Sequence, residues 1–337
     1  MRKYLLSEEG NFYKANLHCH TNVSDGKLSP EEVKELYKSH GYSVVAYTDH
    51  DVMIPHPDLA DDDFLPLVGL EMEIDEGPFT KDTRTCHFCA IAGSPDIKRQ
   101  PCFNAAYANI GNAAKYVDLV QRDENAPPYK REYTSACISD MMQKCRDAGF
   151  FVTYNHPVWS LENYPIYTSY HGMHAMEIVN YACCTLGLDE HNGGRYDDVL
   201  RSGERIYAVC ADDNHNARLD SCGAYVMIKA KELEYTAITD ALFRGDFYAS
   251  TGPEIKELYF EGKTLCITSS DAVSITATTG CRRAKIKCAS DCEPLNYASF
   301  DFEGTEGYVR VTVTDKSGEK AYSRAYFFDE IFEGENS

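Results

Sequence analysis

Residues 14–50 read KANLHCHTNVSDGKLSPEEVKELYKSHGYSVVAYTDH. KANLHCH (14–20) is a strand-like run. Ser29 then stands where a helix N-cap is preferred, Pro30 suits the first turn, Glu32 completes a capping box and Gly41 suits the end. SVVAYTDH (43–50) is a second strand-like run, apolar until its last residues. A strand, a helix and a strand in that order form the repeating unit of a parallel α/β architecture.

The rhythm continues in LPLVGLEME (65–73), TCHFCAIAG (85–93), FFVTYNH (150–156), AMEIVNY (175–181) and IYAVCADD (206–213), with helices predicted over 135–148, 194–202 and 232–244. The pattern predicts a parallel β/α barrel or sheet. Residues 94–134 break it: they are polar, contain Pro127-Pro128, show no period and are expected to form an insertion or lid. After Thr251-Gly252-Pro253 helical patterning stops. Short alternating runs such as GYVRVTVTD, separated by turn signals, predict a small all-β, immunoglobulin-like sandwich. Two domains follow, 1–250 and 251–337.

The formal net charge of −20 disfavours long DNA or RNA, which needs a basic surface. It leaves room for a small anion in a cleft whose bound cations reverse the field. The opening MRKYLLSEEGNFYKANLH lacks an export-signal pattern and no run is long enough to span a membrane, so a cytoplasmic location and reduced cysteines are expected. Cys86 and Cys89 have C-x-x-C spacing, but a strand points them to opposite faces, and they read as packed thiols.

Of eleven histidines, six fall on or just past strand-like runs: His18, His20, His50, His87, His156 and His215. Three carboxylates belong with them, Asp25, Glu71 and Asp213. Side chains at strand C-termini of such barrels converge on one open face. H-x-H (18–20) and D-x-H (213–215) each put both side chains on one face of a strand. Glu71 interrupts a buried run, and an unpaired carboxylate there is costly unless a cation or a salt bridge meets it. Asp25 alone reads as a turn residue, and His87 alone as a core histidine. Together the nine predict a metal site. Asp49, Asn155 and Asp212 flank these positions and either orient imidazoles or cap strand ends.

In this order, H-x-H, Asp five residues on, T-D-H, G-x-E, a strand His, N-H-P and D-x-H resemble the PHP (polymerase and histidinol phosphatase) superfamily over residues 15 to about 250. NLHCHTNVSDGKLSPEEV resembles its first motif especially closely. D-N-H at 213–215 departs from the D-A-H of many members without changing the ligating types. FYASTGPEI followed by a sandwich resembles a two-domain branch of predicted phosphoesterases. The resemblance implies a distorted seven-stranded (β/α) barrel and two or three divalent metals. His18, His20, Glu71 and Asp213 would hold one. Glu71 would bridge to a second, shared with His87 and His156. Asp25, His50 and His215 would hold a third.

Imidazole with carboxylate suits Mn, Zn or Fe(II) better than Mg or Ca. Such metals lower the pKa of a bridging water, and the expected reaction is hydrolysis of a small phosphomonoester or nucleotide, with Glu71, Asp213 and His215 nearest the chemistry. Arg195 and Arg218 are candidate phosphate clamps. The alternatives are an amidohydrolase-type C–N hydrolase, for which no bridging strand lysine is evident, and a non-catalytic metal-binding or interaction protein.

Overall fold

The computed structural model describes residues 2–78, 80–290 and 293–332. Ten strands precede Thr251: β1 (Arg2–Tyr4), β2 (Asn11–Asn16), β3 (Val44–Tyr47), β4 (Leu65–Asp75), β5 (Thr85–Ala92), β6 (Phe150–Tyr154), β7 (Ala175–Asn180), β8 (Tyr207–Ala211), β9 (Tyr225–Ala230) and β10 (Phe247–Ser250). Eight follow: β11 (Ile255–Glu261), β12 (Thr264–Ala272), β13 (Ser274–Thr279), β14 (Lys285–Cys288), β15 (Leu295–Asp301), β16 (Tyr308–Thr314), β17 (Lys320–Ser323) and β18 (Tyr326–Phe327).

The first helix, Pro30–Ser39, has the expected capping box: Ser29 N–H donates to Glu32 Oε2 at 2.8 Å, and Glu32 N–H to Ser29 Oγ at 3.3 Å. Helices Ser135–Asp147, Gly193–Arg201 and Tyr235–Arg244 lie where apolar periodicity placed them. All three present buried residues at helical spacing, such as Ile138, Met141, Met142 and Cys145.

β2, β3 and β4 run parallel, as do β6, β7 and β8. The wholly parallel expectation fails at β5, which pairs antiparallel with both β4 and β6. An apolar run buried on both faces reads alike in either direction, so the sequence carried no sign of this. β9, absent from the sequence reading, pairs antiparallel with β2 and with β10. The path from β2 to β8 does not close through a ladder between strands among the described residues. Its ends meet just beyond the strands, in one parallel bridge between Cys19 and Asn214, with His20 N–H donating to Asn214 O at 3.1 Å and Asp213 N–H to His18 O at 3.0 Å. That junction brings the H-x-H and D-x-H segments side by side.

The C-terminal strands form two layers. One holds β1, β11, β12 and β15; the other continues the large sheet through β10, β17, β16, β13 and β14. Between them lie Leu258, Phe260, Ile267, Ile275, Phe300 and Val311, joined by Leu5 and Leu6 from the N-terminus. The layers are tied to the rest by Arg310, whose guanidinium donates to both carboxylate oxygens of Asp197 at 2.8 and 2.7 Å, with Tyr308 Oη donating to the same carboxylate at 2.9 Å. Residues 94–134 contain only two short 3-10 turns. No helix is long and apolar enough to cross a membrane among the described residues.

Candidate metal centre

The segments after β2, β3, β6 and β8 deliver seven of the predicted side chains to one place, and Glu71 and His87 join them from within β4 and β5. His18 Nε2 lies 3.0 Å from His20 Nε2, 3.2 Å from Glu71 Oε1 and 3.3 Å from Asp213 Oδ1. His20 Nε2 is 3.3 Å from Glu71 Oε2 and 3.1 Å from Asp213 Oδ1. Glu71 Oε1 also faces His87 Nδ1 and His156 Nε2, each at 3.3 Å. Asp25 Oδ2 faces His215 Nε2 at 3.2 Å and His50 Nε2 at 3.9 Å, and Asp25 Oδ1 faces His20 Nδ1 at 3.7 Å. All nine predicted positions fall in these overlapping groups. A fourth group adds Glu73, unforeseen in the sequence, to His50 and His87; Glu73 Oε2 is 3.4 Å from His87 Nε2.

The donor set fits divalent cations. Donors held about 2.0–2.2 Å from a common ion sit roughly 3 to 3.5 Å from one another, which is the spacing seen. His20 Nδ1, His50 Nδ1 and both ring nitrogens of His87 are buried without a hydrogen-bond partner, a costly state that a ligand relieves. Burial opposes charge on His18, yet the Asp213, Glu71 and Glu177 carboxylates outweigh it and raise its pKa well above the imidazole range. Burial likewise opposes charge on Asp25, but His215, His20 and His50 hold it below the usual carboxylate range. His50 goes the other way, pushed down to about 3 by burial and by His20. Without cations the cluster therefore balances its carboxylates with imidazolium protons, and cations entering the site displace them.

The backbone is bent to reach this arrangement. Asp51, His156 and Asp213 have φ of 59°, 22° and 54°, in or near the left-handed region that L residues avoid. Of the flanking residues, Asn155 Nδ2 donates to Glu71 Oε1 at 2.7 Å. Asp49 accepts from Thr21 and Ser24 backbone and hydroxyl groups and so shapes the loop that carries Asp25. Asp212 accepts from the N–H groups of Cys222, Gly223 and Ala224 and from Tyr37 Oη. Neither aspartate hydrogen-bonds an imidazole, so of the two readings, orienting imidazoles or capping strand ends, the first does not apply to them.

Seven of the nine, all but His18 and His20, line a cavity of about 830 Å³. Residues 94–134 supply part of its wall through Tyr107, Ile110 and Arg131. They are fastened by Arg131, paired to Asp51 at 2.5 Å and donating to Glu73 O at 2.7 Å, and by Asn112 N–H to Ser24 O at 2.7 Å. Gly111 is required here, since a Cβ would fall 2.1 Å from Ser24 O. Trp159 lies edge-on to His87 and His156, with ring centroids 5.2 and 5.1 Å away. Lys27 and Arg218 line the cavity near His215. Arg195 instead donates to Asn192 Oδ1 and is not among the lining residues. His171 pairs with Glu204 at the surface and His174 stacks on Phe151, both away from the cluster. Cys86 and Cys89 are buried free thiols.

No protein-family model and no curated protein matches the chain. Among solved structures it is similar to a two-domain protein containing a predicted PHP-like metal-dependent phosphoesterase from Bacteroides vulgatus, at 15% identity and TM-score 0.40, covering 97% of this chain and 99% of the other. A predicted metal-dependent phosphoesterase from Bifidobacterium adolescentis is similar at 16% identity and TM-score 0.40, over 71% of this chain and 98% of its own. An amidohydrolase from Chromobacterium violaceum, with bound sulfate and no metal, is similar at 17% identity and TM-score 0.38, over 60% and 87%. Likenesses at these scores do not decide the chemistry, which rests on the cluster.

Proposed function

We propose that the protein is a metal-dependent hydrolase of small phosphate esters, phosphomonoesters or nucleotides, built on a distorted PHP-like barrel with an immunoglobulin-like sandwich behind it. The observation that carries this reading is the buried group of His18, His20, Glu71 and Asp213, two of whose members, Glu71 and Asp213, line an open cavity. When bound there, divalent cations supply Lewis-acid polarisation of a phosphoryl group and acidify water near neutral pH.

The chain's own residues bind, orient and exclude. Glu71 turns Oε1 toward His18, His87 and His156 and Oε2 toward His20 and His50, so it is the shared member of the first two groups. His215 fixes its tautomer by donating from Nδ1 to Asp213 O at 3.0 Å. Its side chain is 26% exposed, against 7% or less for the other five imidazoles, and it meets substrate first. Lys27 follows Asp25 by two residues, and its N–H donates to His215 O at 2.8 Å. Arg218 is anchored by Nε to Thr185 Oγ1 at 3.0 Å and Nη2 to Ala182 O at 3.2 Å. These two cations stand on the His215 side, where they favour the phosphate dianion. Glu73 and Asp75 also line the cavity, and burial pushes the Glu73 carboxyl up to about 7. Arg131 is neutralised by Asp51. Trp159, Ile110 and Leu186 give the cavity apolar wall for the leaving group.

The test is phosphate release by Mn(II)- and Zn(II)-loaded protein from a panel of phosphomonoesters and phosphodiesters. Release is expected from at least one monoester. In His18→Ala and Asp213→Ala it falls by more than the roughly 10–100-fold typical of losing a supporting residue. No release from any ester by the metal-loaded protein overturns the reading.

A further inference from the structure

β7 carries none of the nine donors, yet one of its side chains touches two of them. Glu177 is fully buried. Its Oε1 lies 2.7 Å from His18 Nδ1. Its Oε2 accepts from the backbone N–H of His156 at 3.0 Å and from Asn180 Nδ2 at 2.9 Å. The same Asn180 amide reaches Asp213 Oδ2 at 3.2 Å. One carboxylate and one amide on one strand thus hold three donors, two of which, His156 and Asp213, have strained backbone φ values of 22° and 54°.

An ionised carboxylate only accepts hydrogen bonds. Opposite it, the neutral, metal-binding form of His18 carries its proton on Nδ1 and its lone pair on Nε2, the atom facing His20, Glu71 and Asp213. Fixing a ligand's tautomer in this way is the general work of a carboxylate behind a metal-binding imidazole.

We propose that Glu177 is a positioning residue for the metal centre: it sets the His18 tautomer and, through the backbone of His156, locks the first donor group to the second. This rests on the metal reading of the cluster.

Glu177→Gln separates this role from simple packing. Both carboxylate oxygens accept, whereas an amide offers one oxygen and one donating NH2. With its oxygen toward the His156 N–H, its NH2 meets His18 Nδ1, which must then accept, and the ring proton moves to Nε2. Zinc affinity, measured by chelator competition, is expected to fall about 10–100-fold in Glu177→Gln, with cooperative unfolding of the metal-free protein retained. Nitrogen-15 histidine NMR of the zinc-loaded wild type is expected to show His18 protonated at Nδ1. Equal zinc affinity in the two proteins overturns the inference alone, as does a wild-type His18 protonated at Nε2. The NMR result decides the matter even if the variant does not fold. A wild type that binds no zinc removes the metal reading, and this inference with it.

Discussion

His18 and His20 face each other through their Nε2 atoms at 3.0 Å. Two bare ring nitrogens cannot share that space without a proton or a cation between them. Glu71 and Asp213 close the remaining sides at 3.1 to 3.3 Å. A group that combines facing imidazoles with two buried carboxylates is poor packing and good coordination.

The chain has a single tryptophan, Trp159, set 5.2 and 5.1 Å from the rings of His87 and His156. Its position is fixed by Glu190, which accepts from the backbone N–H groups of Val158 and Trp159, each at 3.0 Å. Intrinsic fluorescence is therefore a local reporter. Titration with Mn(II) or Co(II), both paramagnetic, is expected to quench it saturably and EDTA to restore it, with the response lost in His156→Ala. An unchanged emission through saturation with either ion counts against a metal at the Glu71, His87 and His156 group.

Arg131 fastens the 94–134 segment by its buried pair with Asp51. Burial already pushes the Asp51 carboxyl upward, and Arg131 holds it down. Arg131→Met removes that compensation. Breaking a buried pair from one side costs about 3–5 kcal/mol, less whatever Asp51 recovers by taking up a proton. Denaturant unfolding is expected to show the loss, and hydrogen exchange to rise around residues 105–112. Unchanged exchange there means the segment is held by other contacts.

Asp197 and Arg310 join the helix Gly193–Arg201 to β16. Asp197→Ala leaves the Arg310 guanidinium buried without its counter-charge. Stability is expected to fall by about 3 kcal/mol, while Arg310→Met paired with Asp197→Leu recovers most of it. A single variant as stable as the wild type shows the pair to be dispensable.

His174 is pushed down to about 4, first by burial and then by Arg146. The folded state disfavours its charged form, so between about pH 6.5 and 4 the unfolded chain binds more protons and stability rises with pH. The contribution is complete above the unfolded value and is lost as pH falls toward 4. His174→Asn, which keeps an acceptor for the Val152 N–H that Nδ1 now takes at 3.1 Å, is expected to flatten the change in urea midpoint between pH 7.5 and 5. The same slope in both proteins contradicts this assignment.

The sequence was most legible where chemistry is local. H-x-H, T-D-H and D-x-H announce themselves because polar residues at the ends of apolar runs have few structural reasons to be there, and the structure gathers all nine candidates. Strand direction was not legible: TCHFCAIA is buried on both faces and carries no mark of running against its neighbours. Arg131 reaches the cavity only through folding of a segment distant in the chain, whereas Lys27 and Trp159 stand two and three residues past Asp25 and His156. Glu177 was readable in principle. It stands in AMEIVN, buried throughout, and the argument that made Glu71 costly without a partner applies equally to it.

The most direct test of the metal centre is a crystal grown with zinc and measured at the zinc absorption edge. An anomalous difference peak is expected about 2.0–2.2 Å from His18 Nε2, His20 Nε2, Asp213 and Glu71. A folded protein with no peak among those four side chains, under zinc in excess, contradicts the account.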